Sequence, residues 1–550
     1  MTNGSRSSAV DLHPAWLGWL VPSTGDLVFV AMLSLLVFTT LSVRLLGDAG
    51  IGWHIRTGQL ILTTHAIPRT DPFSSMTGSQ PWYAWEWLYD VGAGWLDSAA
   101  GLNGVVLFTA VIIAGLFAWA FRLLLWRGTN VFVALVLVLL AVSAAMIHFQ
   151  ARPHVVSWWF TVLCFRILES AEIGPADSNS DSQRHWPLWF LPLLMVVWVN
   201  VHGGFLIGFA LLAIFWVGAA WQWFSVKGDR FEDALRKIRA GRRFRALSLT
   251  GIASAAATLV NPYGFKLHIH IYRYLSNRFL MDHIDEFQSP NFHYVAQKCF
   301  AGLLLLTVVA LAAKRRDASA SQGFVVLFAV YAGLYASRNI PVSSLLLILV
   351  VGPWLSDGTE RLAEKLSGRG NVVRWPGPAS ATFLQRMKTI ELNLRGHLWP
   401  AAAILLTCWV AAHGGKLGEK TLMDAHFDAK RFPVHAVDYL EKQMEKQEVQ
   451  GPLLGPDSWG GYLIYRLYPR VRVVVDDRHD FYGEEFLKSY LKMLHVEAAW
   501  VDFLQQHEAP CVIVPKDSAL ANILAETQGW RAIYADDVSV VLVRRPSPGE

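Results

Sequence analysis

Residues able to do chemistry recur in short polar segments between long apolar runs. Asp48 directly follows the first apolar run, in GDAGIGWHIRTG at 47–58. A carboxylate there can serve as a general base towards an incoming hydroxyl, or stand as a solvated charge at a helix end. Six residues on, His54 can bind phosphate or cap a helix. Glu86 lies between Trp85 and Trp87. Two indoles partly desolvate a carboxylate, raise its pKa and suit it to acid–base or hydroxyl-binding work. Arg152 with His154, His202, and Arg338 with Asn339 each stand where an apolar run ends. An arginine at that depth needs a partner, either a phosphate or carboxylate of a ligand or an internal acid such as Asp48, Glu86, Asp285 or Glu286. His202, in a glycine-flanked turn, reads better as a satisfied core histidine.

The elements that carry these residues are membrane helices. Of 550 residues 53% are hydrophobic and 17% charged, with mean hydropathy +0.33, too apolar for a chain solvated by water alone. Apolar segments at 26–46, 104–126, 130–149, 154–169, 187–201, 203–224, 247–261, 299–313, 323–337, 341–356 and 397–413 predict about eleven spans. Many of the 24 tryptophans flank these runs, as rings at headgroup level do. The first run is too long for a cleavable signal core, so it is expected to remain as a helix.

Lysine and arginine concentrate on one side, in 225–246, 314–322 and 357–396, which the positive-inside rule places in the cytoplasm. With a net charge of only +5 spread over separate loops, a nucleic-acid face is not expected. The other side holds the polar segments already named, together with IPRTDPFS at 67–74, NVHGGF at 200–205, NPYG at 261–264, DEFQSP at 285–290 and SRNIP at 337–341. Hydrophobic helices alone need no such face; a site explains it. Cys164, Cys299, Cys408 and Cys511 have no metal-like spacing, and the histidines at 268, 270, 283 and 293 form no ligand set.

Residues 414–550 alternate helical and strand patterns, which predicts an α/β domain with a partly parallel sheet. VVVDDRHD would end one strand, VRVVVDD at 471–477, with Asp476, Asp477, Arg478 and Asp480. Such a strand end either binds a ligand or closes a turn by local hydrogen bonds, the turn being the better reading.

From WHIRTG, IPRTDPFS and WEWL, and again through ARPH, HGGF, NPYG, RNIP, WGGYLIYRL and VVVDDRHDFYG, the sequence resembles a group of bacterial polytopic proteins of the GT-C class of membrane glycosyltransferases. The resemblance implies a polytopic α-helical fold with a cytoplasmic segment 1–25, a transmembrane domain 26–413 with a large first outer loop 47–103, and an extracytoplasmic α/β domain 414–550. It implies inverting transfer of a sugar from a polyprenyl-phosphate donor in the bilayer to a glycan, lipid or protein acceptor at the outer face of a bacterial inner membrane. Asp48 matches the essential acid of the class. Glu86 and His54 would position substrates, and Arg152 and Arg338 would hold the phosphate, with His154, His202, Glu286 and Asn339 beside them. Relatives often carry a second acid two positions after the first, where this chain has Gly50. No cofactor is therefore expected, and a two-carboxylate metal site is doubtful. The rivals are a transporter or flippase of a lipid-linked or anionic solute, and a non-catalytic envelope assembly protein. Midplane polar residues would favour transport, whereas here the polar set gathers at one face.

Overall fold

The computed structural model describes residues 17–75, 81–173, 187–228, 230–313, 318–368, 377–394, 396–446 and 451–545. The 1–16 part of the N-terminal segment, Lys314, Arg315, Arg316, Arg369 and Arg374 lie outside the described residues. The protein is mostly helical. Five helical segments are long and apolar enough to cross a membrane: Trp87–Trp126, Val131–His148, Phe205–Ser225, Val295–Ala313 and Ser337–Leu362. Four shorter apolar helices, Thr24–Phe38, Phe190–Val199, Ala320–Tyr335 and Leu398–Ala412, pack among them.

Local chemistry explains where these helices begin and break. A capping box between Ser23 and Asp26 opens the first, Asn130 caps Val131–Ala145 through a 2.9 Å bond from the Val133 amide, and Ser319 with Gln322 caps Ala320–Tyr335. The apolar run 26–46 is not one helix. Thr39 is extended, its hydroxyl donates to the Leu35 carbonyl, and Leu41–Leu45 restarts the chain. The segment Trp87–Trp126 bends at Ala100 and Gly101, where Gly101 adopts φ +60° and ψ −157°, a conformation open to glycine. The part before Ala100 is therefore a separate helix from the part that follows Gly101. The expected span 247–261 is the end of a longer helix, Phe231–Ala257, whose first turns carry the basic cluster.

The C-terminal segment forms a four-stranded sheet in the order Leu453–Leu454, Cys511–Pro515, Ser539–Arg544, Trp530–Ala535. Its first pair is parallel and the other two antiparallel. Helices Val434–Glu445, Asp457–Leu467, Glu484–Leu494, Trp500–Gln506 and Ala519–Glu526 surround it. The expected strand at 471–477 is absent. Val473 instead makes single bridges to Leu453 on one side and Ser74 on the other. The segment is thus threaded between the sheet and residues 73–75, with the Val473 amide donating to the Phe73 carbonyl at 3.1 Å and the Ser75 amide to the Val473 carbonyl at 2.8 Å.

Glycines set a second contact between these parts. Helix Asp457–Leu467 crosses Ile51–Thr64 so closely that a Cβ on Gly52 would lie 2.1 Å from the Gly461 carbonyl oxygen, and one on Gly461 would lie 2.2 Å from that of Ala49. Overpacking costs about 1–3 kcal/mol where neighbours can shift, and backbone cannot. Gly461→Val is expected to undock the C-terminal segment. Limited proteolysis should release it from the variant while the wild type stays intact.

Candidate functional site

Eight of the nine predicted site residues line one cavity of about 790 Å³: Asp48, Glu86, Arg152, His154, His202, Glu286, Arg338 and Asn339. His54, the ninth, is fully buried just behind Glu86. The cavity lies where helix ends meet, its rim including the 3₁₀ turns Met146–His148, Asp285–Phe287 and Ser337–Asn339. At the other end of the bundle Arg127 pairs with Glu169 and donates to the Leu349 carbonyl at 2.7 Å.

Motifs that looked chemical in sequence also build the walls. Asn200 accepts from the Trp87 indole and donates to the Val260 carbonyl, both at 2.8 Å. Arg69 lies over the Tyr263 ring at 4.8 Å, and the Tyr263 hydroxyl accepts from the Ala84 amide at 2.8 Å. Asn339 donates to the Ala332 carbonyl at 3.0 Å. The His154 ring donates from Nε2 to the His148 carbonyl at 2.9 Å.

Both arginines are paired internally. Arg338 lies 3.1 Å from Glu286 and 4.4 Å from the centre of the Phe287 ring. Through one nitrogen, Nη1, Arg152 donates to Asp48 at 2.7 Å and to Asp477 at 2.9 Å. Asp477 also accepts from the Trp53 indole at 3.0 Å. Gly50 makes this possible, because a Cβ there would sit 2.1 Å from Arg152 Nη1 and 2.5 Å from Asp477 Oδ2. A carboxylate that could have come from position 50 arrives from the C-terminal segment instead. Between the two acids stands a guanidinium, so positive charge is already supplied where a cation would be held. Burial pushes Asp477 up to about 6 against the pull of Arg152, with Asp48 adding to the rise. Burial opposes the charge of Arg152, and Asp48 and Asp477 more than restore it.

Beside Asp477, Arg478 is buried and held by Asp71 at 2.8 Å and by Asp476 at 2.8 and 2.6 Å. The rings of Trp53, Phe73, Trp82 and Phe481 surround its guanidinium at 6.0, 5.3, 4.8 and 5.3 Å. Asp476 closes a local turn, as the sequence suggested, accepting from the Arg478 amide at 3.0 Å and the Tyr482 hydroxyl at 2.8 Å. Asp477 and Asp480 do not share that role. They line the cavity, and Asp480 pairs with His270 at 2.9 Å. Sequence reasoning also missed Asp90, 2.6 Å from His54 Nδ1, and Arg431, which lines the cavity without a carboxylate partner among the described residues. A buried charge one helical turn from Glu86 was the available signal for Asp90. Among the described residues no group of three or more His, Cys, Asp or Glu side chains is arranged to hold a metal.

Glu86 lies 3.8 Å from His54 Nε2 and 3.7 Å from His202 Nε2. Burial raises it to about 8, against the opposing pull of Arg152, so it is mostly protonated at neutral pH. Burial, reinforced by Arg152, lowers His54, which is therefore neutral.

No protein-family model matches the chain, and no curated protein does. The fold itself is of the GT-C-like membrane class. Its likeness is to the crystal structure of the Archaeoglobus fulgidus oligosaccharyltransferase tethered to an acceptor peptide with the NVT sequon, with TM-score 0.51 and 12% identity over 90% of this chain and 68% of that one. ArnT from Cupriavidus metallidurans in the apo state gives TM-score 0.49 and 16% identity over 96% and 98% of the two chains.

The raised pKa of Glu86 has a consequence for stability. The folded protein holds this proton up to about pH 8, whereas an unfolded chain releases it near 4.5, the ordinary value for a glutamate. The stability tied to that proton is thus complete below the unfolded value and is lost as pH rises towards 8. Glu86→Gln, which mimics the neutral acid, is expected to remove this decline. Thermal unfolding of both proteins from pH 5 to pH 9 tests it, with the gap in favour of Gln widening towards high pH.

Proposed function

We propose that the protein is a membrane glycosyltransferase. It moves a sugar, with inversion, from a polyprenyl-phosphate carrier to an acceptor at the outer face of a bacterial inner membrane. The observation that carries this reading is the gathering of acids, arginines and histidines from distant segments around one cavity at a single end of a GT-C-like bundle. In the proposed step the acceptor hydroxyl oxygen attacks the anomeric carbon. The bond from that carbon to the phosphate oxygen breaks, and the electron pair stays on the phosphate.

Asp48 takes the hydroxyl proton. One of its oxygens accepts from the Gly50 amide at 2.8 Å and from Arg152, leaving Oδ2 without a protein partner among the described residues. Arg431, Arg338 and Arg152 meet the charge that grows on the leaving phosphate, the electrostatic logic of phosphoryl stabilisation. Neutral Glu86 accepts a hydrogen bond from a substrate hydroxyl on its carbonyl oxygen, which its protonated form leaves available. Arg152 supplies the positive charge between the carboxylates, so the reaction is proposed to need no metal.

Asp48→Asn is expected to lower transfer by roughly 100- to 10,000-fold, the usual worth of a general base, with the amount of folded protein unchanged. Membranes supplied with polyprenyl-phosphate-linked hexose or pentose donors provide the assay, and full activity in the variant would remove Asp48 from this role.

Orientation is tested separately. In a cysteine-free background, a membrane-impermeant maleimide on intact cells is expected to label Lys442→Cys and not Arg236→Cys, both exposed positions. The reverse pattern would put the cavity on the cytoplasmic side.

A further inference from the structure

A chain of buried groups leads away from the cavity behind Glu86. His54 Nδ1 lies 2.6 Å from Asp90 Oδ1, hydrogen-bond distance between the ring and the carboxyl group. Both side chains are fully buried. His54 Nε2 has no hydrogen-bond partner among the described residues, although it is buried and faces Glu86 Oε2 at 3.8 Å. On the other side of Glu86, His202 Nδ1 accepts from the Gly204 amide at 3.0 Å. A backbone amide can only donate, so the His202 proton sits on Nε2 and points to Glu86 Oε1, 3.7 Å away. Ser157 joins His202 Nδ1 at 2.9 Å and accepts from the Trp198 indole at 2.8 Å.

With the His54 proton on Nδ1, towards Asp90, Glu86 stands between a ring nitrogen that offers a lone pair and one that carries hydrogen. A neutral carboxyl satisfies both. The two gaps are too long for direct hydrogen bonds and close on one water or a small rotation of the carboxyl.

We propose that Glu86, His54 and Asp90 form a proton relay that takes a proton, given up to the cavity by Asp48 after it leaves the acceptor hydroxyl, and holds it inside the protein. The source of that proton rests on the transferase reading; the relay does not. A proton arriving on Glu86 Oε1 releases the one on Oε2 to His54 Nε2. Glu86 ends neutral, as it began, and His54 becomes an imidazolium beside the Asp90 carboxylate. The reverse transfer resets the chain. Arg152, Arg338, Asp477 and Asp480 act on Glu86 from the cavity side. Arg152, Arg478, His154 and His202 oppose a positive charge on His54, which makes the imidazolium short-lived and lets it return its proton. Tyr89, edge-on to the His54 ring at 5.4 Å, closes the far wall.

The test is hydrogen–deuterium exchange at the His54 ring, followed by infrared spectroscopy on full-length protein in lipid nanodiscs with ring-labelled histidine. His54→Gln assigns the band. Because Glu86 stands between the buried His54 Nε2 and the cavity, exchange is expected to be fast in the wild type and slower by about a hundredfold in Glu86→Gln, whose amide cannot pass a proton on. A structural role for Glu86 predicts the opposite, since loosening the wall would speed exchange. Equal or faster exchange in Glu86→Gln overturns the relay, as does wild-type exchange as slow as that of the buried amides in helix Ile51–Thr64. Either result leaves the transferase reading standing. Lack of donor turnover with exchange still dependent on Glu86 removes that reading and keeps the relay.

Discussion

The buried Arg478 guanidinium constrains the rest of the site. It joins Asp71, in the loop after helix Ile51–Thr64, to Asp476 of the C-terminal segment, positions separated by about four hundred residues. Four aromatic rings exclude water from it, so the charges cannot be satisfied by solvent. Removing one partner of such a pair typically costs about 3–5 kcal/mol, because the other charge is left buried alone. Burial would discharge the arginine, and Asp476 and Asp71 hold it charged. The same triad fixes the chain on both sides of Asp477, which explains how a residue so distant in sequence can meet Arg152 with hydrogen-bond geometry.

From that clamp the cavity follows. Gly50 leaves space for the Arg152 guanidinium, whose Nη1 donates to both Asp477 and Asp48. The departure at Gly50, which in sequence made a two-carboxylate metal site doubtful, has a steric reason here: any side chain would displace the arginine. The glycine contact between helices Ile51–Thr64 and Asp457–Leu467 supports the same docking from a second direction. Loop and C-terminal segment thus roof the helix ends together, and neither supplies the site alone.

Much of this was legible because membrane helices force polar residues into few places. Asp48, Glu86, Arg152, His202 and Arg338 stood out at the ends of apolar runs, and the structure draws them to one cavity. The C-terminal contributors were not legible. VVVDDRHD reads as a strand end, and only the tertiary contact between Val473 and the 73–75 segment shows that it is threaded against the loop after helix Ile51–Thr64. Asp90 was hidden for another reason, lying within a helix where a lone acid resembles a surface charge until His54 is seen beside it. Helix breaks at Thr39 and Gly101 also escape a hydropathy reading, since both fall within or beside continuous apolar pattern.

The central claim is that the cavity consumes a sugar carried on a lipid phosphate. Lipid and glycan profiling of a strain lacking this protein tests it most directly. The account predicts accumulation of one glycosyl-phosphoprenol together with loss of the matching sugar from an envelope glycan or lipid, both reversed by the wild-type protein and not by Asp48→Asn. An unchanged lipid-linked sugar pool and an unchanged envelope, in a strain where the protein is normally made, would contradict it.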